Sequence, residues 1–231
     1  MRPAISAHRG GSEEYPAATA EAYKSSVETG AEYVELDIRR TADGRFVVYH
    51  DDFGELTYAG LCERVGYEPP LLREVFGLLA GHAIAHLDLK EIGDEHEIVE
   101  LAKEMLGDRF VVTSLEDVSI ARVSRDFPEV RTALSLGRDL DGSPWWHRAR
   151  VRLTELFPAR RLKACGADGV AVHQRIARAG VLAQCARAGR FAMVWTVDDD
   201  ASLRRFLDDA RVDVLITNRP RHAVELRGEH P

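Results

Sequence analysis

Short apolar runs alternate along the chain with segments whose apolar residues recur at helical spacing. The runs predict strands over residues 4–8, 33–39, 84–89, 110–114, 131–135, 169–173, 191–197 and 213–217. The segments between them predict helices over 19–29, 71–80, 95–106, 118–126, 144–164, 177–188, 201–210 and 221–226. Gly30, Gly107, Gly166 and Gly189 follow helical segments, where a left-handed terminating residue is favoured. Asp94, Asp117 and Asp200 are placed to cap helix starts. An extra extended piece, 46–50, falls inside the second unit, and 51–70 shows no clear periodicity, which predicts a loop lying over one end of the fold.

Near-continuous apolar strands, each followed by a helix, imply a parallel sheet covered by helices. Eight such units are the number that closes a (β/α)8 TIM barrel, here with a short loop insertion after the second strand. An open doubly wound sheet is the alternative; it would usually carry a glycine-rich phosphate loop after its first strand, which His8-Arg9-Gly10-Gly11 is not. With no repeat, low-complexity tract or linker, residues 1–231 are expected to form one domain.

Composition narrows the function classes. The chain is 45% hydrophobic and 30% charged, as in ordinary soluble domains. Its formal charge of −7 argues against a sequence-independent nucleic-acid binder, although 31 Lys and Arg leave room for a local anion site. Cys62, Cys165 and Cys185 lack metal-like spacing and fit a reducing compartment. No apolar stretch is long enough to span a bilayer, so no stable membrane insertion is expected. The first strand starts close to Met1 and leaves no room for a signal peptide, which predicts a cytoplasmic protein.

Four patches break the apolar pattern where strands end: Ala7-His8-Arg9-Gly10, Val34-Glu35-Leu36-Asp37, Val48-Tyr49-His50-Asp51 and His86-Leu87-Asp88-Leu89-Lys90. Burying charge is costly unless it is paired or holds a metal. Glu35 and Asp37 are two apart, so they leave one face of their strand, and Asp88 and Lys90 repeat this one unit later. In a barrel those faces converge at the C-terminal rim. Three carboxylates meeting there suit a hard divalent ion, Mg²⁺ or Ca²⁺, while a rim ion-pair network with Arg39, Arg40 or Lys90 is the alternative. His8 and His50 could divide acid and base roles, and Arg9 and Lys90 could supply positive charge to a phosphate.

His8-Arg9-Gly10, Glu35-Leu36-Asp37, Thr41-Ala42-Asp43-Gly44 with Val47-Val48 and His50-Asp51, and Leu87-Asp88-Leu89-Lys90 resemble the glycerophosphodiester phosphodiesterase family, a phosphatidylinositol-phosphodiesterase-like TIM barrel. Val194-Trp195-Thr196-Val197 and Ile216-Thr217-Asn218-Arg219-Pro220 are similar to its seventh- and eighth-strand signatures. The resemblance implies metal-dependent hydrolysis of a small-molecule glycerophosphodiester to an alcohol and glycerol 3-phosphate. It maps the two catalytic histidines onto His8 and His50, and the metal carboxylates onto Glu35, Asp37 and Asp88. Other diesters, a lysophospholipase D-like reaction, or a catalytically weak barrel that binds a phosphorylated ligand are the alternatives. Three departures bear on them. The family's Pro-Glu-Asn-Thr box reads Pro16-Ala17-Ala18-Thr19, for which Glu13 or Glu14 would be the nearest substitutes. The third metal position, usually glutamate, is Asp88, and residues 52–57 replace the family's segment after the His-Asp pair.

Trp195 and His173, at strand ends, are candidates for lining the pocket. His82, His86 and His96 have no paired spacing and receive no role. Trp145-Trp146-His147 opens a helix; contact with the barrel is favoured over a partner surface or a lipid-facing lip. The arginine-rich stretch 148–163, broken by Glu155, reads as a solvated helix face.

Overall fold

The computed structural model describes residues 2–229; Met1 and residues 230–231, part of the expected domain, lie outside the described residues. Eight parallel strands close into a barrel: β1 (Ala4–Ala7), β2 (Tyr33–Arg40), β4 (Ile84–Leu89), β5 (Phe110–Ser114), β6 (Thr132–Leu136), β7 (Gly169–His173), β8 (Phe191–Trp195) and β9 (Val214–Thr217). Pairing of β1 with both β2 and β9 completes the ring. A short strand, β3 (Phe46–Val48), adds antiparallel to β2 at the rim.

The alternation along each strand divides the molecule into two interiors. Val34, Leu36 and Ile38 of β2, and Ala85, Leu87 and Leu89 of β4, point outward into the apolar layer beneath the helices. That layer is covered by α1 (Ala20–Ser26), α3 (Leu72–Leu79), α4 (Glu95–Leu106), α5 (Asp117–Asp126), α7 (Ala159–Cys165), α9 (Leu182–Arg187), α10 (Asp200–Leu207) and α11 (Pro220–Glu229). Inside the barrel a small apolar plug of Val111, Ala133, Ala171, Met193, Val214 and Ile216 fills the floor. The polar residues Glu35, Asp37, Asp88 and Thr113 point to the same interior nearer the strand ends.

At Gly169 a side chain has no room: a Cβ would lie 2.0 Å from the Phe191 carbonyl oxygen on the neighbouring strand. Gly169→Ala is therefore expected to force β7 and β8 apart and lower stability by about 1–3 kcal/mol, read from the urea midpoint.

Three predicted elements differ. Residues 51–70 are not one loop: they hold α2 (Tyr58–Val65), capped by Thr57 and ended by left-handed Gly66. Its Leu61 is buried against Val47 and Phe53 in a separate small cluster, so this helix packs on the β3 insertion rather than on the barrel layer. The predicted helix over 144–164 is two, α6 (Trp145–Leu156) and α7, broken at Pro158, which has no backbone N–H to continue α6. The helix predicted over 177–188 is preceded by one short turn, α8 (Gln174–Ile176), and interrupted by Gly180 at φ 106° before α9 begins. Trp145 and Trp146 do not pack on the barrel as expected; they are 80% and 57% exposed. Among the described residues no helix is long and apolar enough to cross a membrane.

Candidate active site

The strand register sets the acidic centre. Asp37 of β2 pairs in register with Asp88 of β4, which pairs with Thr113 of β5, so the three side chains form one layer inside the barrel. Glu35 sits one inward position below Asp37. One oxygen each from Glu35, Asp37 and Asp88 lies within 4.8 Å of the others. Glu35 and Asp37 are almost wholly buried.

Their partners differ. Glu35 accepts the backbone N–H of Arg9 (2.8 Å). Burial, followed by the neighbouring Asp37 charge, pushes its carboxyl well above the ordinary range. Burial acts in the same direction on Asp37, but Lys90 and Arg9 overcome it and hold that carboxyl well below the ordinary range. Lys90 Nζ lies 2.7 Å from Asp37 Oδ1 and also contacts Asp88 Oδ2. Arg9 Nε is 2.7 Å from Asp37 Oδ2, yet its N–H is not aimed at that oxygen, and neither atom has a hydrogen-bond partner. A buried carboxylate oxygen that accepts no hydrogen bond, grouped with two more carboxylates, has the all-oxygen chemistry of a Mg²⁺ or Ca²⁺ site, so these residues fit a hard divalent ion. The alternative ion-pair network is only partly present. Lys90 joins the cluster, whereas Arg39 turns to Glu91 and Arg40 to Asp94.

His8 and Arg9 sit on a tight turn directly after β1. Arg9 adopts φ 52°, a left-handed conformation unusual for a residue with a side chain, which swings its N–H toward Glu35. Gly10 follows at φ 79°, and a Cβ there would lie 2.9 Å from the Ala22 backbone. The His8 ring is fixed by residues that the sequence reading left without a role. Asp198 accepts the Asn218 backbone N–H and its Nδ2 (both 2.8 Å), which leaves Asn218 Oδ1 facing His8 Nδ1 at 2.8 Å. That oxygen can only accept, so Nδ1 carries the proton and Nε2 is left as the basic nitrogen. Burial, then the Arg9 charge, lowers the affinity of His8 for a second proton. His50, beyond β3, has its carbonyl held by Arg39 Nε (3.0 Å), and its Nδ1 lies 2.7 Å from Asp51 Oδ1.

A second support lies under Asp88. Thr113 Oγ1 donates to Asp88 Oδ1 (2.6 Å) and so receives the Nε2 proton of buried His86 (2.9 Å). Burial drops the pKa of His86 to about 4, consistent with a neutral ring serving this chain of bonds. His86 has no paired spacing in the sequence; its inward register opposite Glu35 is the only signal that could have singled it out.

Neither acidic substitute for the missing box reaches this centre. Glu13 accepts the backbone N–H groups of Arg221 and His222 (2.9 and 3.2 Å), while Glu14 binds the Ser25 hydroxyl and Arg221. The loop that carries Ala17 and Ala18 is nevertheless tied down at both ends. Ala18 N donates to the Arg9 carbonyl (2.8 Å), and Thr19 caps α1 by accepting from Ala22 N. Ala18 pays for this with φ 62°. Ala18→Gly relieves that conformation and is expected to raise stability by about 0.5–1 kcal/mol, measured by thermal and urea unfolding.

These residues open on one cavity of about 740 Å³ that is lined by His8, Arg9, Glu35, Asp37, His50, Asp88 and Lys90. Its far wall carries His173 and Trp195, both predicted for it, whose rings meet edge to face at 5.1 Å. Trp195 Nε1 donates to the Ala171 carbonyl (2.9 Å), and the His173 proton affinity is lowered by burial and then by Arg175. Gly137 makes room for the pair: a Cβ there would lie 2.4 Å from that of His173. Arg148 and Arg152 of α6 also reach this wall, so the arginine-rich stretch is not simply a solvated face.

Residues 8–119 match the model of the glycerophosphoryl diester phosphodiesterase family. A curated glycerophosphodiester phosphodiesterase of Caldanaerobacter subterraneus subsp. tengcongensis is 25% identical over 98% of this chain and 98% of its own. The solved glycerophosphodiester phosphodiesterase of Parabacteroides distasonis superposes with a TM-score of 0.79 at 21% identity, covering 99% of this chain and 98% of that one. An Oleispira antarctica phosphodiesterase solved with its product sn-glycerol-3-phosphate superposes with a TM-score of 0.73 at 18% identity, over 97% and 96% of the two chains.

Proposed function

We propose that this chain, whose residues 8–119 match the glycerophosphoryl diester phosphodiesterase family and which resembles a curated member over nearly its whole length, hydrolyses glycerophosphodiesters to an alcohol and glycerol 3-phosphate. The observation that carries this reading is the meeting, in one cavity, of an oriented basic histidine with three carboxylates suited to a divalent cation. The product named for the Oleispira antarctica relative supports glycerol 3-phosphate as the released monoester.

Roles follow from the surroundings. His8, with its Nδ1 proton engaged by Asn218, can accept a proton at Nε2 from the attacking oxygen. His50, whose Nδ1 is held by Asp51, can return a proton to the departing alkoxide. One P–O bond forms and the ester P–O bond breaks, and the two proton transfers balance. A divalent cation held by Glu35, Asp37 and Asp88 would supply Lewis-acid polarisation of the phosphoryl oxygens. Arg9 and Lys90, both on the cavity wall, offset the negative charge that gathers there. Trp195 and His173 bound the side where the alcohol lies.

The test is release of phosphomonoester from glycerophosphocholine and related head-group diesters with added Mg²⁺ or Ca²⁺. Ion-dependent turnover that EDTA abolishes is expected. Absence of turnover on every glycerophosphodiester with either ion overturns the reading in favour of a ligand-binding barrel.

A further inference from the structure

Helix α6 is packed the wrong way round for an ordinary barrel helix. Its buried residue is a carboxylate: Glu155, 1% exposed, accepts the backbone N–H groups of Gly137 (2.8 Å) and Arg138 (2.9 Å), together with Arg152 Nη1. Around the helix at 100° per residue, Trp145 lies about 80° from Glu155, while Trp146, Leu153 and the following Phe157 fall on the opposite side. They are exposed by 80%, 57%, 59% and 63%, which makes them the four most exposed large apolar side chains among the described residues. On the order of 500 Å² of apolar surface is thus gathered on one helix, where such patches mark interaction sites.

The charge around this face is equally one-sided. In a chain with net charge −7, α6 carries Arg148, Arg150 and Arg152, and its one acidic residue is the buried Glu155. Arg148 and Arg150 are exposed, and among the described residues neither side chain has a carboxylate partner. The same helix forms the edge of the 740 Å³ cavity through Arg148 and Arg152. We propose that the outer face of α6 docks the barrel mouth on an anionic phospholipid surface. The aromatic and leucine side chains enter the headgroup boundary and Arg148 and Arg150 pair with lipid phosphates, as in interfacial amphipathic helices. In a two-fold dimer this basic face would meet itself, so the charge pattern favours an anionic lipid surface over a second copy. Docking in this orientation turns the cavity toward single-chain phosphodiesters held at the surface. That consequence for the substrate class rests on the reading of the site as a phosphodiesterase; the docking itself does not.

Flotation of the full chain with phosphatidylcholine vesicles, with and without phosphatidylglycerol, tests it. Binding to the anionic vesicles is expected, weakened about tenfold by Trp145→Ser with Trp146→Ser, by Arg150→Glu, or by high salt, with turnover of glycerophosphocholine in solution unchanged. Absence of binding to anionic vesicles, or equal binding by the variants, overturns the proposal. So does a concentration-dependent dimer, seen by light scattering, that the tryptophan variant abolishes, because it assigns the face to a second copy. Vesicle binding by a chain that hydrolyses no diester would uphold the docking and overturn only the catalytic reading.

Discussion

Replacing His8 by Ala is expected to lower kcat by about 10²- to 10⁴-fold with little change in fold. The size follows from how much structure is spent on this one ring. Asp198 fixes Asn218, Asn218 fixes the His8 tautomer, and the remaining nitrogen is left free in the cavity. A ring held this way needs no reorganisation when a proton arrives, and His86, engaged by Thr113 beneath Asp88, is not free to take its place. The pH profile gives a second readout. Burial and Arg9 lower the proton affinity of His8, so the acidic limb of kcat/KM is expected below the ordinary histidine range, with activity lost as pH falls through that lowered value. His8→Ala should remove the limb as well as the rate. Asn218→Leu should keep the ring but release its tautomer, lowering kcat by about 10- to 100-fold. Full activity in His8→Ala would take the proton-transfer role away from this residue.

The parts legible in the sequence were those set by strand alternation or by helical spacing. Glu35, Asp37 and Asp88 could be placed on one inward face because strand alternation leaves little freedom, and the same alternation sends Val34 and Leu36 outward. The eight barrel strands stood out because each is buried on both sides. What escaped was decided by tertiary contact. Asn218 gains its role only when β9 closes against β1 and brings it to His8, 210 positions away. Glu155 broke a basic run in the sequence and gave no sign that it would be the helix's anchor. Only the folded chain shows it serving two backbone N–H groups of the loop after β6, and therefore turning Trp145 and Trp146 outward. The α2 helix was missed despite Thr57 and Gly66 as its start and stop, because its apolar residues are few and pack on a small satellite cluster.

Asp37→Asn and Glu35→Gln are both expected to abolish the calorimetric signal of Mg²⁺ or Ca²⁺ binding, and with it the ion-dependent turnover, but only Asp37→Asn should destabilise the metal-free protein. Each substitution exchanges one of three anionic oxygen donors for a neutral amide, and the imidazoles that share the cavity are poor ligands for a hard cation. Without the ion, the two carboxylates stand in different electrostatic positions. Asp37 is the common partner of Lys90 and Arg9, both drawn inward, so neutralising it leaves buried positive charge with less compensation. A loss on the order of 2–3 kcal/mol is expected, in the manner of a broken buried ion pair. Because its folded-state carboxyl is held below the ordinary value, its stabilising contribution is present near neutral pH and disappears on acidification through the ordinary carboxylate range and below. Glu35 is the reverse case. Burial and Asp37 disfavour its charge, and the amide of Gln can still accept the Arg9 N–H, so Glu35→Gln should leave stability unchanged or raise it. Thermal unfolding in EDTA separates the two. Equal destabilisation would show that the carboxylates act as one rigid ion-pair network, and metal binding retained in Asp37→Asn would move the cation site elsewhere.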